Sequence, residues 1–169
     1  LKMLTLSRDK STESSDDVLG KLNIVPLTIS YEIDPCDVMK ARELAYGAGY
    51  EKAPFEDLES IAQGIQGRKG YVHIHFGTPL NQPSLSVTDA VSRIDDAMVV
   101  NYRLFKTNFW ACETLGYATD ESDRDAAEAS ITQSAFLARF DELSVAEREQ
   151  ALEMYARPLL NLMVSKDKV

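Results

Sequence analysis

The chain is short of cysteine, histidine and positive charge. Cys36 and Cys112 are its only thiols and lie far apart, which excludes a disulfide framework or a cysteine-based zinc site and suits a reducing, cytosolic setting. Against 27 acidic residues stand 18 basic ones, a formal charge of −9. Such a surface repels phosphate backbones, so general nucleic-acid binding is excluded. It also leaves no strong polybasic patch for anionic lipid. No apolar run approaches the roughly 20 residues that span a bilayer, and the start carries no secretory signal pattern. A Gly-x-Ser-x-Gly elbow, a Walker loop and a dinucleotide fingerprint are all missing. Gly64, Gly67 and Gly70 read as a helix end and a turn.

What is present fits one folded domain with a core: 169 residues, 18.8 kDa, 44% hydrophobic. LKMLTL (1–6) reads as the end of a helix whose beginning is expected upstream, because no N-cap precedes it. Ser7 to Lys21 is polar and expected to be an exposed, mobile connection. Ile24, Val25, Leu27 and Ile29 predict a strand over 23–31, buried on both faces. Pro26 cannot donate to a ladder, so it belongs at an edge or bulge, or with its missing N–H turned from a neighbour. Asp34 as N-cap and Pro35 at the first position open a helix to about Ala45. A second helix covers roughly Phe55 to Gln66 on Leu58, Ile61 and Ile65.

GYVHIHFG (70–77) alternates, with Val72, Ile74 and Phe76 on one strand face and Tyr71, His73 and His75 on the other, less buried one. The longest helix starts after Ser86, with Asp89 completing the cap. Its ladder Val87, Val91, Ile94, Met98, Tyr102 and Phe105 should pack on the sheet. Phe109 to Thr119 is poorly patterned. Phe136, Phe140 and Leu143 mark one further helix. Ser144 with Glu147 caps another that buries Leu152, Tyr155 and Leu159, and Pro158 should bend or split it. Between Asp120 and Glu153 there are 10 acidic and 3 basic residues, which reads as a solvated face or a docking surface for a basic partner.

Two candidate sites arise from the residues themselves. His73-x-His75 could ligate a metal with Glu32, Asp34 or Asp37 as third ligand, but the spacing fixes none of these, and two hydrogen-bonded polar positions is the reading preferred. No metal is expected. Cys36 falls near a helix start, which favours a thiolate. A nucleophile needs a base beside it, and none is local, so a packed, inert thiol is expected.

Three blocks in order resemble the glycerolipid acyltransferase superfamily, which includes 1-acylglycerol-3-phosphate acyltransferase. They are VPLTISYEIDPCDVMKAREL (25–44), EDLESIAQGIQG (56–67) and GYVHIHFGTPL (70–80). The first resembles that family's fourth motif, with Pro26 in its apolar strand. The likeness spans about residues 1–110, and 111–169 carry no family motif. The family's His-x-x-x-x-Asp is absent, since Thr78 and Leu80 stand five positions after His73 and His75. Ser7-Arg8 lacks the Glu-Gly of the arginine motif and is not equated with it.

The resemblance implies an α/β fold, a partial sheet flanked by helices, with an acyltransferase-like part over 1–110 and a helical C-terminal extension over 111–169. It implies transfer of a fatty acyl group from an acyl-CoA or acyl-carrier-protein thioester, with no cofactor, to a glycerol-phosphate or lysophospholipid acceptor. Pro26 would support the substrate site, and no residue of this chain would be catalytic. The family setting is cytoplasmic, with peripheral contact at the inner membrane, and has no nucleic-acid partner. The other expectation, from a different class, is a non-enzymatic α/β interaction module presenting the acidic helical face. A metal hydrolase built on His73 and His75 is the third and weakest.

Overall fold

The computed structural model describes residues 1–6 and 8–166; Ser7 of the Ser7-Arg8 pair lies outside them. The fold is α/β with little sheet: 57% helix and one two-stranded antiparallel sheet. By contact the chain divides into two compact units that interleave in sequence. One holds Leu1–Ile29 and Ile74–Tyr102, the other Ser30–His73 and the chain from Arg103 onward.

The first unit opens with a short 3-10 helix at Lys2–Thr5. Helix α1 (Ser15–Lys21) follows, where a loose connection was expected. The Ser14 hydroxyl accepts the Asp17 N–H at 3.1 Å and the Asp17 carboxylate answers the Ser14 N–H, a reciprocal cap that a single buried anchor, Leu19, suffices to hold. Helix α4 (Val87–Val100) starts as predicted, with the Asp89 N–H on the Ser86 hydroxyl at 3.0 Å. Leu19, Leu80, Leu85 and Ala90 form this unit's small core, with Val87 and Ile94 half-buried against it.

The ladder expected along α4 is therefore corrected. The helix stops at Val100, so Tyr102 and Phe105 are not in it, and Val91 and Met98 are exposed. The face that packs is Val87, Ala90 and Ile94, an apolar stripe laid against Leu19, Leu80 and Leu85.

The second unit is built on α8 (Val145–Lys166), against which α2 (Asp37–Tyr46) and α5 (Lys106–Thr114) pack. Around them stand α3 (Glu56–Gln66), α6 (Glu121–Ala126) and α7 (Gln133–Leu137). Its core is aromatic: Phe109, Trp110, Phe136, Phe140 and Tyr155, with Ala41, Ala151, Ala156 and Leu159 filling between. Phe136 meets Tyr155 edge-on at 4.9 Å and Phe140 at 5.4 Å, the geometry that ring quadrupoles favour. The Ser144–Glu147 cap forms as predicted. Pro158 does not split α8, which runs through it unbroken. The first half of the poorly patterned Phe109 to Thr119 stretch is the end of α5, a helix buried around its whole circumference at Thr107 to Cys112.

Strands β1 (Leu27–Tyr31) and β2 (Val72–Phe76) pair along their length. The Glu32 N–H donates to the Tyr71 C=O and the Gly77 N–H to the Pro26 C=O. That register sets Leu27 opposite Phe76, Ile29 opposite Ile74, Thr28 opposite His75 and Ser30 opposite His73.

The burial is opposite to expectation. Leu27, Ile29, Ile74 and Phe76 are 43%, 40%, 51% and 73% exposed, while Thr28 and Ser30 are buried and His73 and His75 half-buried. The apolar strand at 23–31 is thus not buried on both faces, and the histidines lie on the more buried face, not the less buried one.

Candidate functional site

Pro26 lies just before β1, where pairing slips by one residue. Ile24 bridges Leu80, but Pro26 is bonded to Gly77, so two steps on one side oppose three on the other. This is a bulge whose extra residue lies on the 77–80 side, and Pro26 stands opposite it, where the regular ladder ends. Gly77 sits so close that a Cβ there would meet the Pro26 carbonyl and ring, so the proline is fixed by backbone contact on its β2 side.

In the second unit the chain passes from β1 into an acidic corner. Glu32 is fully buried, and its carboxylate accepts the Tyr71 N–H at 2.9 Å, the Ser130 N–H at 2.5 Å and the Ser130 hydroxyl at 2.6 Å. Its carbonyl accepts the Thr107 hydroxyl at 2.8 Å. Asp34 accepts the Cys36 N–H and the Lys40 ammonium, while its own N–H donates to the Tyr155 hydroxyl at 2.8 Å. Asp37, 1% exposed at the first turn of α2, holds Arg139, and the Tyr155 hydroxyl donates to it at 2.8 Å. Burial, and then the Asp37 charge, push the Tyr155 phenol well above its ordinary range.

A cleft of about 390 Å³ opens beside this corner, lined by Pro35, Asp37, Val38, Met39, Glu59, Gln63 and Arg139. Asp37 and Arg139 on its wall form an ion pair already closed on itself, and Glu59 is the third charged group lining it.

The predicted ligands are not assembled around the histidines. Glu32, Asp34 and Asp37 are each engaged by the donors just described. His73 keeps its Nδ1 buried with no hydrogen-bond partner. Among the described residues no three His, Cys, Asp or Glu side chains converge as a metal site would need. The Cys36 thiol is buried and donates to the Ser60 carbonyl at 3.4 Å. It falls at the N-cap of α2, because the helix starts at Asp37, two residues later than an Asp34 N-cap would place it; Asp34 instead closes a turn, accepting the Cys36 N–H on its side chain and the Asp37 N–H on its carbonyl.

The trio of buried Asp37 and Tyr155 with half-buried Arg139 was missed as a unit by the sequence reading. Arg139 and Tyr155 are 102 and 118 positions from Asp37, and only Tyr155 carried a core signal. No helix among the described residues is long and apolar enough to cross a membrane. No protein-family profile matches the chain, and no curated protein or solved structure does either.

Proposed function

We propose that this chain is part of a glycerolipid acyltransferase, an enzyme that moves a fatty acyl group from a thioester to a glycerol-phosphate or lysophospholipid acceptor. The observation that carries this reading is the order and spacing of the three blocks at 25–44, 56–67 and 70–80. The reaction needs a base for the acceptor hydroxyl and donors for the developing oxyanion. The family's His-x-x-x-x-Asp supplies the base, and this chain has none. Its role is then to support the site, with Pro26 on the supporting strand.

Two features of the sheet agree with a supporting role. The first and third blocks supply its paired strands, and a two-stranded sheet with one apolar face in water is too small to stand by itself. The alternative, a non-enzymatic interaction module using its acidic face, has less support. In the second unit Glu128, Glu147 and Glu153 of that region are engaged by Arg103, Arg42 and Arg157.

The test is enzymatic. The full-length product of the encoding gene should carry His-x-x-x-x-Asp and release free thiol from acyl-CoA or acyl-carrier protein when given lysophosphatidic acid. The 169-residue chain alone should release none. Turnover by the isolated chain, or a full-length product without the motif, overturns the proposal.

A further inference from the structure

We propose that the open edge of β2 pairs with β2 of a second copy of this chain, antiparallel and centred on Ile74, so that two two-stranded sheets become one of four strands. The register with β1 turns the N–H groups of Thr28, Ser30, His73 and His75 inward to the ladder. It leaves those of Val72, Ile74 and Phe76 pointing away from β1. Among the described residues β2 has no other strand beside it. A row of unpaired backbone donors and acceptors is matched by one kind of partner, another extended backbone.

Sequence selects the partner and the edge. Natural edge strands are blunted by proline, lysine, a bulge or an inward-pointing charge. β1 is preceded by Pro26, and the extra residue of the neighbouring bulge lies between Gly77 and Leu80, beyond the end of β2, so VHIHF has no such device within it. A two-fold axis through Ile74 sets Ile74 against its own copy and Val72 against Phe76. It also sets His73 against His75, so apolar pairs meet on one face and imidazoles on the other. Each outward N–H then finds a carbonyl of the partner strand. The exposed side chains of Ile74 and Phe76 gain cross-strand neighbours and double the breadth of the apolar face they share with Leu27 and Ile29. This inference does not rest on the acyltransferase reading, since it is argued from the edge of β2 alone.

Sedimentation equilibrium and amide hydrogen exchange on the purified chain test it together. Association should be concentration-dependent and reach a dimer, and the Ile74 amide should become protected in step with it. Ile74→Lys should weaken association by about tenfold or more, while Val100→Lys, equally exposed on α4, leaves it unchanged. A monomer at every concentration overturns the proposal. So does a dimer in which the Ile74 amide stays open, because that places the contact on the sheet face or elsewhere. Should Ile74→Lys fail to fold, the concentration dependence of Ile74 protection in the unaltered chain decides alone.

Discussion

The guanidinium of Arg139 grips the carboxylate of Asp37 through three hydrogen bonds, at 3.0, 2.8 and 2.7 Å. The carboxylate is buried at the start of α2, and the Val38 N–H and the Tyr155 hydroxyl complete its shell. One ion pair thus ties α2 to the segment before α8 and, through Tyr155, to α8 itself.

Removing one partner of such a pair leaves a buried charge uncompensated, which costs about 3–5 kcal/mol. Arg139 is partly exposed, so Arg139→Ala should fall near the lower end, at about 3 kcal/mol. The double variant Asp37→Ala with Arg139→Ala should cost clearly less than the sum of the singles. Urea midpoints decide, and additivity within about 0.5 kcal/mol would mean that the two groups do not depend on each other.

Gly70 is required twice over. Its φ is +63°, and a Cβ there would collide with the Glu32 carboxylate. The turn at Gly70 shifts the register by one residue, from Glu32 opposite Tyr71 to Ile33 bonded to Lys69, and so frees the Tyr71 N–H for that carboxylate. Gly70→Ala should cost well over the roughly 1 kcal/mol of a left-handed alanine. Gly116→Ala, at φ +84° with open space around it, should cost about that strain alone. Equal losses of thermal stability would show that the Glu32 contact does not matter.

Periodicity was a good guide where one face of an element meets water. β2, α3, the cap of α4 and the buried side of α8 at Leu152, Tyr155 and Leu159 could all be read from the residues. It failed at α5, because Phe109 to Cys112 are buried in succession and a helix enclosed all round has no stripe. It misassigned the sheet faces for a different reason. Hydropathy assumes that polar side chains prefer water, yet Ser30 accepts the Arg103 N–H at 2.9 Å and Glu32 is held by Ser130 and Tyr71. Those partners are distant in sequence and make burial of the polar face affordable. The Asp37–Arg139–Tyr155 corner was illegible on the same grounds.

The first unit should be far more sensitive at Leu19 than along the outer side of α4. Leu19 is fully buried beside Leu80, Leu85 and Ala90, so Leu19→Ala should cost about 2–5 kcal/mol once its cavity is included. Val91→Ala and Asp96→Ala, both on exposed positions, should each cost under about 0.5 kcal/mol. Ile94→Ala should lie between, as its half-buried position implies. Urea midpoints in that order support the packing face; a Val91 loss matching Leu19 would reverse it.

Cys112 gives the chain a stability that depends on pH. Burial, then the charges of Glu153 and Glu113, raise its thiol from 9.0 to about 11. Between those values the unfolded chain has released a proton that the folded chain still holds, so stability falls as pH rises. The contribution is whole below about pH 9 and is lost as pH climbs through 11. A shift of this size corresponds to about 2–3 kcal/mol. The buried Tyr155 phenol works in the same direction at higher pH, so the two must be separated. Cys112→Ala removes the thiol and keeps Tyr155, which makes the difference between the two proteins the quantity to follow. That difference should shrink by about 2–3 kcal/mol between pH 8 and pH 11 in urea unfolding. A gap that stays constant over the range would mean that the thiol ionises in the folded chain as readily as in the unfolded one, and that Cys112 is not sealed in the core.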